Sequence, residues 1–355
     1  MMGVVTYAIW LALIALSLAA AALSLDPQLG GPHRRWWWQG LALASAAVLA
    51  LSPHVVTFSQ QELLVFLTIN TLVVVSYRLL ALTGEFSLGH VVMMGFGAYA
   101  SALLSKQLAI PVPLSIILAA GLTGLVAFVL AFPLFRMKGF YFLIGSFAAG
   151  ETIRLLWKAF IGPKGISRIP GVPDIEIGAW EINFWEPVAS YYLILVIAAV
   201  SIWILWRIEH SHVGLTFHAV HWRDQLAGAV GVNTWRTRTQ ALVLASFFAG
   251  LAGALLAHYI TTVNPNRFAV HEMVFVLIWV IVGGTATIWG PIIGLVTLTA
   301  INEVLLRDIG YDELRPLFYG VLLVLAMLFL PNGLETLPAR LVRHFRRAKL
   351  LASQR

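Results

Sequence analysis

A polar, glycine-rich cluster interrupts apolar sequence between residues 79 and 101. Its members are Thr83, Gly84, Glu85, Ser87, Gly89 and His90. At a break in a membrane helix, free backbone N–H groups can bind the polar or anionic part of a solute. The cluster is equally compatible with a short loop between two helices, in which Ser87 caps the second helix. The residues alone leave both interpretations open.

Glu151 is a second candidate for solute chemistry, because a charge within an apolar span costs several kcal/mol. Arg154 follows three residues later, on the same helical face. This spacing favours an intrahelical ion pair, and a polar lining of a solute path is the alternative.

Four histidines lie in the polar stretch 207–238: His210, His212, His218 and His221. A metal site needs convergent ligands with supporting hydrogen bonds. Membrane di-iron enzymes carry several histidine boxes, and no second box occurs here. We therefore predict no metal site and give little weight to a membrane enzyme built on these histidines.

The sequence excludes several kinds of catalysis. It contains no Gly-x-x-x-x-Gly-Lys-Ser/Thr phosphate loop, so this chain does not hold ATP in the Walker manner. It has no cysteine and no nucleophile elbow. We predict that the chain is not an enzyme, has no catalytic residue and binds no cofactor.

The composition is that of a membrane protein. Apolar residues make up 60% of the 355 positions and charged residues only 11%, against about 25% charged in a soluble domain. Apolar runs of about 20 residues recur along the whole chain, and each is long enough to cross a bilayer. We predict an all-α polytopic membrane protein of about eleven spans, with nine to eleven compatible, and a broken or re-entrant helix near 83–90. The spans cover about 4–25, 40–57, 62–82, 86–105, 112–135, 139–158, 188–206, 239–262, 271–286, 289–306 and 315–331.

The positive charges indicate an orientation. Placing the 207–238 stretch and the C-terminal tail on the inside puts about two thirds of the 23 Lys and Arg residues there. The net charge of +7 then follows the positive-inside pattern, and nucleic acid is not a predicted partner. This arrangement predicts a multi-pass protein with a cytoplasmic C-terminus.

Two further segments carry positional information. Ala245, Ala249, Gly253 and Ala257 form a ridge of small residues, which indicates a span in the middle of a bundle. Residues Phe217 to Val230 could form a short helix that ends at Gly231. Such a helix could dock on a cytoplasmic partner or lie on the membrane interface, and periodicity does not separate these alternatives.

Over roughly residues 65–335 the chain resembles the permease subunits of high-affinity branched-chain amino acid ABC importers, of the LivM type. Six segments in the family's order carry the resemblance: Thr83–His90, Gly95–Tyr99, Lys138–Phe142, Gly150–Arg154, Phe247–Ala254 and Gly283–Pro291. Ala286 stands where the family usually has glycine. His218 and His221 replace the usual arginines of the family's coupling segment.

The resemblance implies a permease domain over 1–331, with a cytoplasmic coupling loop over 207–238, followed by a basic cytoplasmic tail over 332–355. It implies a coupling helix that sits in a groove of the ATP-binding subunit. The residues assigned to this helix are His218, Ala219, His221, Arg223, Asp224, Ala227, Gly228 and Gly231. The residues assigned to the substrate path are Thr83, Gly84, Ser87, Gly89, His90, Gly95, Gly97, Tyr99 and Glu151.

The implied function is import of branched-chain amino acids or a related small organic solute across the bacterial inner membrane. The implied partners are a second, non-identical permease subunit, two ATP-binding subunits that hold ATP and magnesium, an extracytoplasmic solute-binding protein and membrane lipid. Urea and amides are alternative solutes, since related permeases carry them. A secondary transporter or channel is the alternative class.

Overall fold

The computed structural model describes residues 12–20, 34–177, 180–184, 186–302 and 333–337, together with positions 317, 320, 321, 324, 325 and 328. Residues 12–20 are helical. The ten helices labelled here are α1 (Arg34–Val55), α2 (Phe58–Ala81), α3 (His90–Gln107), α4 (Val112–Leu134), α5 (Phe140–Phe160), α6 (Pro187–Glu209), α7 (His212–Ala229), α8 (Thr234–Ile260), α9 (Val270–Gly283) and α10 (Trp289–Ile301).

This helical architecture confirms the all-α membrane class. Four of the described helices, α2, α4, α6 and α8, are long and apolar enough to cross a membrane. Helices α1 to α6 and α8 to α10 each overlap a predicted span. Most residues of the spans predicted at 4–25 and 315–331 lie outside the described part of the chain. The total of eleven spans stays a prediction.

Helix α8 begins five residues before the predicted span. Asn233 caps its start, where the side-chain oxygen accepts the Arg236 N–H at 3.0 Å. A capped first turn extends the helix into polar sequence that hydropathy excludes from the span.

Short strands, which the sequence analysis did not predict, occur in the polar connection between α5 and α6 and directly after α8. Strand β1 (Ile166–Ser167) pairs antiparallel with β4 (Thr262–Val263), and β2 (Ile175–Ile177) pairs with β3 (Trp180–Ile182). The first pair attaches this connection to the C-terminal end of α8. A 3₁₀ turn follows at Pro265–Phe268.

The chain divides into two compact units, one of residues 58–277 and one of residues 1–57 with 278–355. In the first unit, α8 packs against α2, α3 and α4. All four residues of its predicted small-residue ridge are buried, which confirms the prediction of a central helix. A methyl group at Gly253 would overlap the Met94 carbonyl of α3, and one at Gly250 would overlap Thr123 of α4.

The second unit contains a turn held by a buried carboxylate. Glu335 is fully buried and accepts the N–H groups of Ala286 at 2.7 Å and Thr287 at 2.9 Å, and the Thr287 hydroxyl at 2.6 Å. The same turn contains Gly284, whose φ of +108° suits glycine. Glu335, which the sequence places in the tail, is therefore an integral part of this turn.

The close approach at Gly253 predicts a large effect of a small substitution. Gly253→Ala should lower the free energy of unfolding by about 1–3 kcal/mol, because the added methyl group overpacks the α3–α8 contact. Thermal unfolding in detergent measures the change. Gly121→Ala is the matched control, since a methyl group there meets no atom within 4 Å; an equal loss in this control would contradict the packing argument.

Candidate functional site

The polar cluster forms a non-helical break between α2 and α3, at residues 82–89. Thr83 is buried and donates its hydroxyl to the Leu80 carbonyl at 2.8 Å. Gly84 has a φ of +83°, and a Cβ there would lie 2.9 Å from the Nδ1 atom of His221 in α7. The break therefore begins with a turn that requires glycine and that lies directly against α7.

Side chains from α2 and α5 hold the rest of the break. The Ser87 N–H donates to the Tyr77 hydroxyl at 2.9 Å, and the Leu88 N–H donates to Ser146 Oγ at 3.1 Å. His90, the first residue of α3, is buried, and its Nε2 atom lies 3.0 Å from Ser76 Oγ. Side chains thus replace the missing helical partners of this backbone, as a buried break requires.

The other residues predicted to line the substrate path lie in α3 or just before it, and they make close packing contacts. A Cβ at Gly89 would lie 2.6 Å from the Ser146 carbonyl oxygen, and one at Gly95 would lie 2.8 Å from Trp157 and Phe268. A Cβ at Gly97 would overlap the backbone of Gly250. Tyr99 is buried, with its ring 4.6 Å from that of Trp157. These residues bring the start of α3 close to α5 and α8.

Glu151 of α5 pairs with Arg154, as its spacing suggested. Arg154 Nε donates to Glu151 Oε2 at 2.8 Å, and Arg154 Nη2 contacts Glu151 Oε1. The Glu151 side chain keeps 22% of its surface exposed. Both partners of this pair lie on α5, and the residue before Glu151, Gly150, lies against Gly89 of the 82–89 break.

A small cavity adjoins the break. It is lined by Ser87, Gly89, His90, Met93, Ala127, Leu130, Leu134, Ser146, Ala149, Leu242 and Ser246. Its free volume is about 10 Å³, which is room for one water molecule. Serine hydroxyls and an imidazole lie beside aliphatic side chains here, and in this conformation the space is closed to any larger solute.

Helix α7 begins at His212, five residues before the predicted start, because Ser211 caps it by accepting the Val213 N–H at 3.2 Å. The helix is kinked at Arg223, whose φ of −153° and ψ of 88° are non-helical. It ends as predicted before Gly231, which has a φ of +92°. The Gly231 N–H donates to the Gly228 carbonyl and the Val232 N–H to the Ala227 carbonyl, which is a Schellman ending.

The residues assigned to the coupling helix lie on different faces of α7. Ala227 is buried, His218 is half-buried beside Glu209, and His221 lies against Gly84. Ala219 and Arg223 are exposed. Only part of the assigned set is therefore available to a partner.

Four charged side chains meet where α7 reaches the break, and we call Glu85, Lys138, Asp224 and Arg238 the charge cluster. Lys138 Nζ lies 2.6 Å from Asp224 Oδ2, and Arg238 Nη2 lies 3.3 Å from the same oxygen. Arg238 Nε lies 3.6 Å from Glu85 Oε1, and Glu85 Oε2 accepts the Gly139 N–H at 3.2 Å. Glu85 and Arg238 are 3% and 9% exposed. The charge cluster joins the break, the α4–α5 turn, α7 and the start of α8.

The charge cluster changes the titration of Asp224. Burial by itself would raise the pKa of this carboxyl. The hydrogen bond from Lys138 and the positive charge of Arg238 outweigh burial and hold the pKa below its usual range. Asp224 is therefore ionised at neutral pH and binds both cations.

A second ion pair joins the ends of α2 and α6 near the base of α7. Arg78 donates from Nη1 and Nη2 to the two carboxylate oxygens of Glu209, at 2.6 and 2.7 Å. The Arg78 side chain is 2% exposed and that of Glu209 12%. This bidentate geometry is the strong form of an arginine–carboxylate contact.

Sequence reasoning missed the roles of Glu85, Arg238, Arg78 and Glu209. Glu85 was visible within the polar cluster, and the two arginines were used only to count charges on one side. The partners lie in different segments of the chain, and Arg78 and Glu209 are 131 positions apart. One signal was available in the sequence. A charged residue at the edge of an apolar span with no opposite charge nearby in the sequence needs a partner from elsewhere in the chain.

A family model described as "Branched-chain amino acid transport system / permease component" matches residues 60–327 of the chain. The permease protein LivM of the high-affinity branched-chain amino acid transport system of Salmonella typhimurium is 29% identical over 275 residues, which cover 71% of this chain and 64% of the relative. LivM of Escherichia coli is 28% identical over the same shares. The permease protein LivH of Escherichia coli is 26% identical over 47% of this chain and 56% of its own length. No solved structure matches the chain.

Breaking the Arg78–Glu209 pair should destabilise the protein strongly. Glu209→Gln removes the carboxylate that binds the buried Arg78 guanidinium through two hydrogen bonds, and we expect a loss of about 3–5 kcal/mol in unfolding free energy. Replacing both partners by apolar residues, Arg78→Met with Glu209→Leu, should recover most of that loss. Thermal unfolding of purified protein measures both, with the exposed Arg207→Gln as control. A double variant as unstable as Glu209→Gln would refute the ion-pair account.

His218 should make α7 sensitive to mild acid. Burial is the main cause that lowers the pKa of its imidazole, with the charge of Arg78 and the neighbours His221 and His210 in the same direction and Glu209 opposing them. A lowered folded-state pKa means that stability is fully present above about pH 6.5, the ordinary histidine pKa, and is lost as pH falls below it.

We therefore expect the melting temperature to fall between pH 7 and pH 5, and His218→Gln to reduce that fall. His212→Gln, at an exposed position of the same helix, should leave the pH dependence unchanged. Melting curves across this pH range give the measurement. An unchanged slope in His218→Gln would show that another group titrates.

Proposed function

Because the chain belongs to the family of branched-chain amino acid transport permease components, we propose that it is a membrane-spanning subunit of an ABC importer. It forms part of the translocation path for branched-chain amino acids or a related small organic solute. ATP and magnesium are held by a separate chain, since this one has no phosphate loop. The chain spans 64% of the length of its LivM relatives, and the substrate class is proposed by analogy with them.

The observation that carries this proposal is an exposed apolar stripe on α7 and its C-terminal end. Leu215 is 65% exposed, Trp222 79%, Leu226 56% and Val230 81%. Leu215 and Trp222 lie seven residues apart before the kink at Arg223, and Leu226 and Val230 lie four residues apart after it, so each pair shares one face of its own helical segment. The opposite face, with Gly214, Phe217, Val220 and Ala227, is buried. Both segments of α7 therefore present apolar side chains that the described residues of the chain leave exposed.

We assign this stripe to a groove of the ATP-binding subunit. A helix-in-groove contact is read as apolar anchors at helical spacing, with an aromatic residue as the main one. Lys138, Asp224 and Arg238 tie α7 to the bundle, so a force on the stripe reaches the helices. A helix floating on the membrane interface would need no such ties.

We propose the remaining parts of the assembly by analogy with the relatives. The α7 end of the helices faces the cytoplasm, where ATP is available, and the C-terminus lies on the same side. A second, non-identical permease subunit completes the membrane part, two ATP-binding subunits drive it, and an extracytoplasmic binding protein delivers the solute. The break at 82–89 and the start of α3 form this chain's share of the path.

Charged residues on the stripe should weaken binding of the permease to the ATP-binding subunit. Trp222→Glu with Leu226→Glu should reduce co-purification of the ATP-binding subunit at least about tenfold, because two anchors are replaced by hydrated carboxylates. Gln225→Glu adds the same kind of charge to an exposed neighbouring position and should co-purify normally. Uptake of labelled leucine into vesicles that carry the whole importer should fall in parallel with co-purification.

Two outcomes would contradict the proposal. Leucine uptake that persists without any ATP-binding subunit would indicate a secondary transporter or channel. If the Trp222→Glu and Leu226→Glu variant binds the ATP-binding subunit normally but its helix α7 no longer contacts the lipid surface, the stripe belongs to the membrane interface.

A further inference from the structure

We propose that the charge cluster, with the contact of His221 on Gly84, transmits movement of α7 to the 82–89 break. The inference rests on the proposed function, since it requires an ATP-binding subunit that moves α7. It assigns a positioning role to Glu85, which lies in the break, and to Arg238, which lies in the second turn of α8; neither residue belongs to the apolar stripe.

The first link is at the kink of α7. Arg223 interrupts the helical geometry, and the next residue, Asp224, holds both Lys138 and Arg238. A non-helical residue at this point allows the two parts of α7 to change their angle. The side chain that binds the bundle therefore lies directly at the place where α7 can bend.

The second link joins α8 to the break. Arg238 lies between Asp224 and Glu85, and both of these charged contacts belong to the one guanidinium. Within the described part of the chain, Arg238 Nε has no hydrogen-bond partner, and its distance of 3.6 Å to Glu85 Oε1 exceeds that of a hydrogen bond by about 0.5 Å. A movement of that size would convert the contact into a hydrogen bond.

The third link fixes the break to its surroundings. Glu85 accepts the Gly139 N–H at the start of α5, and the Leu88 N–H donates to Ser146 Oγ about two helical turns further along α5. Gly84 lies against the ring of His221, so α7 also contacts the break directly. Displacement of α7 must therefore move the break or lose these contacts, and the break leads into α3 at His90.

Ion pairs are suited to this connection because they allow few arrangements of their partners. An ion pair at low exposure contributes little net stability but demands a defined arrangement of its partners. Apolar side chains would pack as well in several registers, whereas Glu85 and Arg238 have few satisfactory geometries. The charge cluster therefore favours discrete positions of α7 relative to the break.

The test is the coupling ratio, measured with the complete importer in vesicles. Arg238→Gln and Glu85→Gln should hydrolyse ATP at the wild-type rate within about twofold, while leucine imported per ATP falls about tenfold. Arg238→Lys should restore part of the import, because lysine retains the positive charge but lacks the planar guanidinium that contacts two carboxylates at once. Arg236→Gln, an exposed arginine two residues earlier on α8, is the control and should behave as wild type. Import and hydrolysis that fall in proportion would overturn the inference.

A labelling experiment covers variants that fold poorly. The chain has no cysteine, so Ser87→Cys provides one thiol in the break. Its reaction rate with a soluble thiol reagent should differ between the nucleotide-free and ATP-trapped importer. Added Arg238→Gln should abolish that difference, and added Arg236→Gln should keep it. A difference that survives Arg238→Gln, or none in Ser87→Cys alone, would overturn the inference.

These results also separate the inference from the proposed function. Leucine uptake by the wild-type protein in the absence of ATP would reject the proposed function as an ABC importer subunit. ATP-driven uptake that is intact in Arg238→Gln would reject only the role of the charge cluster.

Discussion

The backbone of α8 lies closer to its neighbours than side chains of ordinary size would allow, and the unit of residues 58–277 depends on this packing. Lipid provides no hydrophobic drive for helix association, so membrane helices gain stability from close van der Waals contact. Gly250 and Gly253 leave space for Thr123 and for the Met94 carbonyl. Because α8 also carries Arg238 at its start, the packing that centres the helix also positions the charge cluster.

A second constraint is that backbone polar groups away from water must be satisfied. At the 82–89 break, the Tyr77 and Ser146 hydroxyls accept the N–H groups of Ser87 and Leu88. At the turn after α9, the Glu335 carboxylate accepts two N–H groups. Both breaks are therefore built structures, each with a glycine at positive φ and each held by side chains from another segment.

The local features of the chain were predictable because they depend on neighbouring residues. Hydropathy located α1 to α6 and α8 to α10, and the small-residue spacing identified α8 as central. Glycine chemistry predicted the end of α7 at Gly231. The starts of α7 and α8 were placed five residues late, because Ser211 and Asn233 cap polar turns that hydropathy does not register. The short strands were missed, since segments of two or three residues carry almost no periodic signal.

By itself, the sequence determined the all-helical membrane class, the position of the break and the resemblance to a permease family, because apolar runs and ordered motifs are properties of neighbouring residues. The spacing of Glu151 and Arg154 indicated their local ion pair, but only the tertiary structure decided which charged groups bind partners far away in the chain. Arg78 meets Glu209, Arg238 meets Glu85, and Glu335 reaches back to Thr287. Each pairing joins segments far apart in the chain, and a charge attracts any opposite charge equally well until packing brings one partner within reach.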